Sequence, residues 1–145
     1  MRVMFKKIFT KKPKQFNPGK VIIPVGHPNP PAHHEIDVAT ILASHYQTTV
    51  EFIMPIDDFK RKTPDIKMLD SEWEIKSPKG KSKSTISNQL RRGSKQSCNL
   101  IIDTRHTKIK FVEMERRVLF GVRNSTTIKR VIFINKSGKV VELLK

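Results

Sequence analysis

Two short runs in this chain are apolar at every position: Leu100-Ile101-Ile102 and Val131-Ile132-Phe133-Ile134. A strand with one wet face alternates apolar and polar residues. A strand that is apolar throughout is buried on both faces, as in a sheet covered by helices on either side. Between the two runs, residues 108–123 carry Phe111, Met114, Val118 and Val122 on one helical stripe. Strand, helix, strand in this order predicts a right-handed parallel crossover.

The other segments fill in the same architecture. Residues 32–45 read as a helix, with Ile36, Ala39, Thr40 and Ala43 at helical spacing and Pro31 near the start. Val50, Phe52 and Met54 mark a strand that Pro55 ends. Residues 64–69 and 72–76 read as a β-hairpin around Asp70-Ser71. Ser84-Thr85 caps a helix reaching about Ser97, and Ser137-Gly138 turns the chain into a last strand, residues 140–144. The expected fold is an α/β sandwich, a central mixed sheet flanked by helices. Gly26-His27-Pro28-Asn29-Pro30-Pro31 can be neither helix nor central strand. Residues 1–31 therefore read as a basic N-terminal arm and Pro-rich linker, and residues 32–145 as one domain.

Charge narrows the partners. The chain holds 29 Lys and Arg against 13 Asp and Glu, a net charge of +16. Seven of the basic residues fall in the first 20, where there is no acid, so the excess belongs to the domain as well as to the arm. A field of this sign and size favours polyanions, nucleic acid first. No apolar run approaches the ~18 residues of a membrane-spanning helix, and the first segment lacks the apolar stretch of a signal peptide. One cysteine, Cys98, excludes an intramolecular disulfide. That suits a reducing compartment or a protein indifferent to redox state; the cytoplasm is the expected site of action.

The hairpin carries the chemistry. With Asp70-Ser71 as its turn, Leu69 faces Glu72, Lys67 faces Glu74 and Asp65 faces Lys76. Strand side chains alternate, so one face holds Asp65, Lys67, Glu74 and Lys76 and the other holds Ile66, Met68, Trp73 and Ile75. The apolar face is core. A charged face is ordinarily only a solvated one, but here two carboxylates converge where acids are scarce, one strand step from a lysine. Two carboxylates suit Mg²⁺ or Mn²⁺, with Zn²⁺ as an alternative. Such an ion acidifies a water and neutralises phosphate charge, and the lysine steadies the attacking water or the developing negative charge. The expected activity is phosphodiester hydrolysis, with Asp65 and Glu74 as metal ligands and Lys76 as the assisting cation.

Pro64-Asp65 followed by Glu74-Ile75-Lys76 resembles the PD-(D/E)XK nuclease motif, and the flanking helices fall in that family's order. The resemblance implies a restriction-endonuclease-like sandwich. It implies a third acid, Glu35, on the preceding helix, with Asp37 as an alternative, and a site-completing role for Gln96. Residues 33–143 are also similar to the C-terminal nuclease domains of CdiA-type contact-dependent inhibition toxins. That likeness rests on Thr63-Pro64-Asp65, Trp73-Glu74-Ile75-Lys76, the SPKG loop, Asn88-Gln89-Leu90, Lys95-Gln96 and Leu100-Ile101-Ile102-Asp103. It implies tRNA cleavage and a cognate immunity protein.

Substrate contacts are expected from Lys79 and Lys83 in the basic loop and from Asn88, Arg91, Arg92, Lys95 and Gln96 along the following helix. Two other readings compete: a DNA endonuclease of restriction or repair type, and a non-enzymatic basic protein that binds nucleic acid. His33 and His34 could serve a metal-free ribonuclease, but single histidines at a helix start are ordinarily surface residues.

Overall fold

The computed structural model describes residues 6–9, 18–56, 62–82 and 84–144. Among them, eight strands and three helices follow in the order β1 (Lys6–Phe9), β2 (Lys20–Ile22), α1 (His33–Tyr46), β3 (Thr49–Phe52), β4 (Ile66–Met68), β5 (Ser71–Lys76), α2 (Ser84–Ser94), β6 (Asn99–Asp103), α3 (Phe111–Arg123), β7 (Arg130–Ile134) and β8 (Val140–Leu144). The strands form one mixed sheet in the order β1-β8-β7-β6-β5-β4-β3-β2. Strands β5, β6 and β7 are parallel neighbours, as are β2 and β3, and the remaining pairs are antiparallel. Each parallel pair is bridged by one helix: α1, α2 and α3 in turn. The mixed α/β architecture is the expected one. Both β1 and β2 come from the segment expected to be arm and linker, and they form the two edges of the sheet.

The sheet separates two cores. On one face, Val38, Ala39, Leu42 and Ala43 of α1 pack on Trp73, Ile75, Ile101 and Ile132. On the other, Ile86 and Leu90 of α2 and Met114, Val118 and Val122 of α3 pack on Leu100, Ile102, Val131 and Phe133. Ile101 thus faces one core while its neighbours Leu100 and Ile102 face the other, the period-two alternation of a strand buried on both sides.

The hairpin keeps its faces but not its register. The turn residues are Leu69 and Asp70, with φ of 51° and 58°, both positive as in the tight turn whose twist suits a two-residue hairpin. Lys67 therefore pairs with Glu72, and Ile66 with Trp73. This is a slip of two residues from the arrangement with Asp70-Ser71 as the turn. A slip of two preserves which side each residue faces, whereas a slip of one would have exchanged core for solvent. Ile66, Met68, Trp73 and Ile75 accordingly lie in the core, and Lys67 and Glu72 are exposed. Trp73 is fully buried. Its indole Nε1 donates to the Met68 carbonyl at 3.1 Å, and the Arg130 guanidinium lies 4.8 Å from the ring centre. Arg130 in turn pairs with Glu142, which accepts from the Tyr46 hydroxyl at 3.0 Å and so fastens the end of α1 to the sheet. No helix among the described residues is long and apolar enough to cross a membrane.

Candidate active site

Strand β5 changes partners half-way along. Its first half pairs with β4; Glu74, Ile75 and Lys76 lie in register with Leu100, Ile101 and Ile102 of β6. Asp65 sits where β4 leaves it. The Asp65 N–H donates to the Trp73 carbonyl at 3.0 Å. Beyond that bond the Asp65 side chain takes over from the main chain, with Oδ2 accepting from the Ile75 N–H at 2.7 Å. The ladder thus continues through a carboxylate, and that carboxylate is held beside Glu74. The register slip has a chemical consequence: the position across from Glu74 is taken by Asp65 rather than Lys67.

Glu74 is almost fully buried, at 2% exposure. Its Oε1 accepts from Lys76 Nζ at 2.7 Å, while Oε2 is buried with no hydrogen-bond partner. Burial, and then the nearby Asp65 charge, push the Glu74 carboxyl up to about 7. Burial likewise raises Asp65, and the charge on Glu35 adds to it. Desolvation and like-charge repulsion both disfavour ionised carboxylates, so this pair carries an unmet demand for positive charge.

Lys76 answers part of that demand. Its Nζ donates to Glu74 and also to Gln96 Oε1 at 3.1 Å. Gln96 reaches the lysine because α2 lies close to the sheet. A Cβ built on Gly93 would come within 2.9 Å of Leu100 Cδ2 and 3.5 Å of Lys76 Cε. The sequence marks Gly93 only as a weak point of its helix, but its function is this close approach. Gly93→Val overpacks the contact with fully buried Leu100. It is expected to lower stability by about 1–3 kcal/mol, read as a lower urea midpoint, and to loosen the hold of Gln96 on Lys76.

Glu35 lies at the same cleft but not in the same cluster. Its Oε2 accepts from the Ala32 N–H at 2.8 Å, closing the first turn of α1. Among the described residues, no group of three His, Cys, Asp or Glu side chains could hold a metal ion, so Glu35 does not stand with Asp65 and Glu74 as a ready three-ligand set. Asp37 is exposed, and its charge acts on Arg105 instead.

The cleft has a volume of about 510 Å³ and is lined by Glu35, Asp65 and Gln96, with His27 and Asn29 on its wall. His27 and Asn29 belong to the Gly-Pro-rich break, which reads in sequence only as a linker. Their one signal was two polar side chains on either side of Pro28, in a run whose prolines fix the backbone. Asn88, Arg91, Arg92 and Lys95 are exposed along α2 and just beyond it, and Lys79 is exposed on the loop before it. They form a basic surface rather than part of the carboxylate cluster. Lys83 lies outside the described residues.

Comparison with known proteins agrees with this arrangement at the level of family and fold. No curated protein matches the chain. It is similar in structure to a chain of the CdiA-CT/CdiI toxin and immunity complex from Burkholderia pseudomallei, with 15% identity and a TM-score of 0.56, covering 88% of this chain and 100% of that one. At that identity the likeness speaks for the fold alone. The family model described as the contact-dependent growth inhibition CdiA C-terminal domain matches residues 62–140, from just before the hairpin to the start of β8. That is more than half of the chain, and the protein therefore belongs to the CdiA C-terminal domain family of contact-dependent growth inhibition.

Proposed function

We propose that this domain is a divalent-metal-dependent nuclease of the PD-(D/E)XK kind. On this reading it hydrolyses phosphodiester bonds of RNA, with tRNA as substrate, and acts as a toxin in the cytoplasm until an immunity protein binds it. The observation that carries the reading is buried Glu74 set beside half-buried Asp65 and Lys76, with Glu74 Oε2 left without a hydrogen-bond donor. A buried acceptor without a donor is costly, and a second carboxylate alongside raises that cost. An oxygen-only pair suits a hard cation, and Mg²⁺ is commonly held by just one or two carboxylates with water completing its shell. Asp65 and Glu74 would hold Mg²⁺ or Mn²⁺, with Zn²⁺ as an alternative. Bound there, the ion supplies a water of lowered pKa and positive charge at the scissile phosphate.

The chain's own residues do the rest. Lys76 spends two of its three ammonium protons on Glu74 and Gln96. The third is free for an anionic oxygen of the reacting phosphate. Gln96 keeps the ammonium in place. Glu35 adds negative charge beside Asp65. Lys79, Arg91, Arg92 and Lys95, with Asn88 among them, grip the phosphate backbone over a wider surface. The choice of tRNA rests on the family resemblance, and the immunity partner rests also on the complex in which the similar fold was solved.

A non-enzymatic nucleic-acid-binding role would account for the Lys76–Glu74 ion pair and for the bond from Ile75 to Asp65. It does not account for two carboxylates set side by side, which can share one proton below about pH 7 and repel each other above it. Incubation with total tRNA and with plasmid DNA, each with Mg²⁺ or Mn²⁺ and with or without EDTA, separates the readings. Cleavage of tRNA alone, abolished by EDTA, is expected. Activity in excess EDTA would remove the metal from the mechanism, and equal cutting of plasmid would make the domain a DNA endonuclease. Tight, salt-sensitive binding without turnover would leave the binding role.

A further inference from the structure

Asp65, the more open member of the carboxylate pair, borders a cleft whose walls are not those of a phosphate groove. Pro30, Pro31, Pro55, Pro64 and Ile56 line it. Ile56 remains 67% exposed at the rim, although its N–H is tied to Thr63 Oγ1 at 2.9 Å. A groove meant only for a charged backbone needs basic walls; here the prolines, Phe52 and Ile56 stand beside the acids Glu35 and Asp65, and Lys62 is the one Lys or Arg among the lining residues. The volume, about 510 Å³, falls in the roughly 300–1,000 Å³ range of pockets that enclose one small organic ligand. His27 supplies the polar edge. Its Nε2 lies 3.2 Å from the Ile53 carbonyl, which can only accept, so Nε2 carries a proton. In the neutral ring Nδ1 is then an acceptor, and it is buried with no partner. Asn29, exposed on the same wall, offers both a donor and an acceptor.

We infer that this cleft is a binding site for one unpaired nucleotide flanking the scissile phosphate, with its base set against the proline and Ile56 walls and its polar edge turned to His27 and Asn29. A planar base matches flat apolar walls, and its ring and amino N–H groups are donors of the kind His27 Nδ1 lacks. Phosphate offers only acceptors, and the ribose 2′-OH, which can also donate, presents no flat face to the apolar walls. A base inside a duplex is stacked and paired and cannot enter, whereas an unpaired base leaves its stack at least cost. This rests on the nuclease reading of the adjoining carboxylates and adds to it a substrate class: the cut falls in loops and single strands, not within helices.

The test combines cleavage and binding. A short RNA hairpin and a blunt RNA duplex containing the loop sequence are incubated with the wild-type chain and Mn²⁺. Cuts confined to the unpaired nucleotides are expected, with a loss of roughly tenfold when the flanking nucleotide is made abasic. Equal cutting of the duplex, or no effect of the abasic position, overturns the inference. For binding, 2-aminopurine is placed at each loop position in turn and its fluorescence is read in EDTA. One position is expected to respond in the wild type. That response is expected to be lost in Ala32→Leu and in Asn29→Leu, which put aliphatic bulk into the cleft from exposed positions and leave the basic surface intact. An unchanged response in both folded variants overturns the inference. If the single-base response is present and cleft-dependent but no divalent ion supports cleavage, the nuclease reading fails and the nucleotide site stands.

Discussion

On the nuclease reading, Glu74→Ala is expected to eliminate cleavage, by about 10³-fold or more, because it removes one of the two carboxylates that would hold the ion and so several kcal/mol of transition-state charge stabilisation. Asp65→Ala and Lys76→Ala are expected to do the same, while tRNA binding through the exposed basic surface persists. The more discriminating experiment is the stability of Glu74→Gln. The folded state holds the Glu74 proton more tightly than the unfolded chain does, since burial and the neighbouring Asp65 raise the carboxyl from 4.5 to about 7. A group raised in this way contributes stability below its unfolded value and loses it as pH rises through the folded one. Between about pH 4.5 and 7 the wild type should therefore lose stability that the glutamine variant, which cannot ionise, retains. At pH 8 Glu74→Gln is expected to show the higher urea midpoint and no cleavage. A carboxylate serving only to pair with Lys76 would give the reverse, a destabilised variant, and that result would return the cluster to a structural role.

How far the sequence foretold this arrangement depended on which physical rule decided each part. Two fully apolar strands and the helical stripe between them were enough for a doubly covered sheet, because period and burial are local signals. The hairpin's faces were legible for the same reason. Its turn was not. Leu69 at positive φ runs against the usual preference for Asn or Gly, and local turn chemistry pointed one residue further on. Tertiary packing decided the register by setting Ile66 opposite Trp73 in the core beneath α1. Because the slip was of two residues, the charged face survived it, and Asp65 came closer to Glu74 than the expected pairing allowed. Gln96 was marked by resemblance and is seen to touch Lys76. Arg91 and Arg92 were marked by charge, and they lie on an open surface. The strand Lys6–Phe9 left no readable trace: its four residues do not alternate, and its pairing with β8 joins segments more than 130 positions apart. His27 and Asn29 were hidden by their prolines, which announce an irregular backbone and say nothing about what that backbone borders.

The neighbouring residue provides the counterpart to Glu74. Trp73→Ala is expected to cost about 3–5 kcal/mol, the range for emptying a buried aromatic site. In a domain of this size that corresponds to a fall in Tm of about 10–16 °C. Trp73 points to the opposite side of β5, is fully buried, and closes the hairpin through its bond to the Met68 carbonyl. Its ring also receives Arg130, which carries the contact on to Glu142 and Tyr46. The alanine variant therefore leaves a cavity, a Met68 carbonyl that has lost its indole donor and a guanidinium without its ring. Activity should fall only as far as the folded fraction falls, and a stabilising osmolyte should restore it, whereas nothing that restores folding should restore Glu74→Ala. If Trp73→Ala kept its Tm but lost cleavage, the indole would have to act on substrate, and the division of β5 into a core face and a chemical face would be wrong. Consecutive residues on one strand thus carry opposite expectations: loss of Glu74 removes chemistry and relieves the fold, and loss of Trp73 weakens the fold and leaves the chemistry intact.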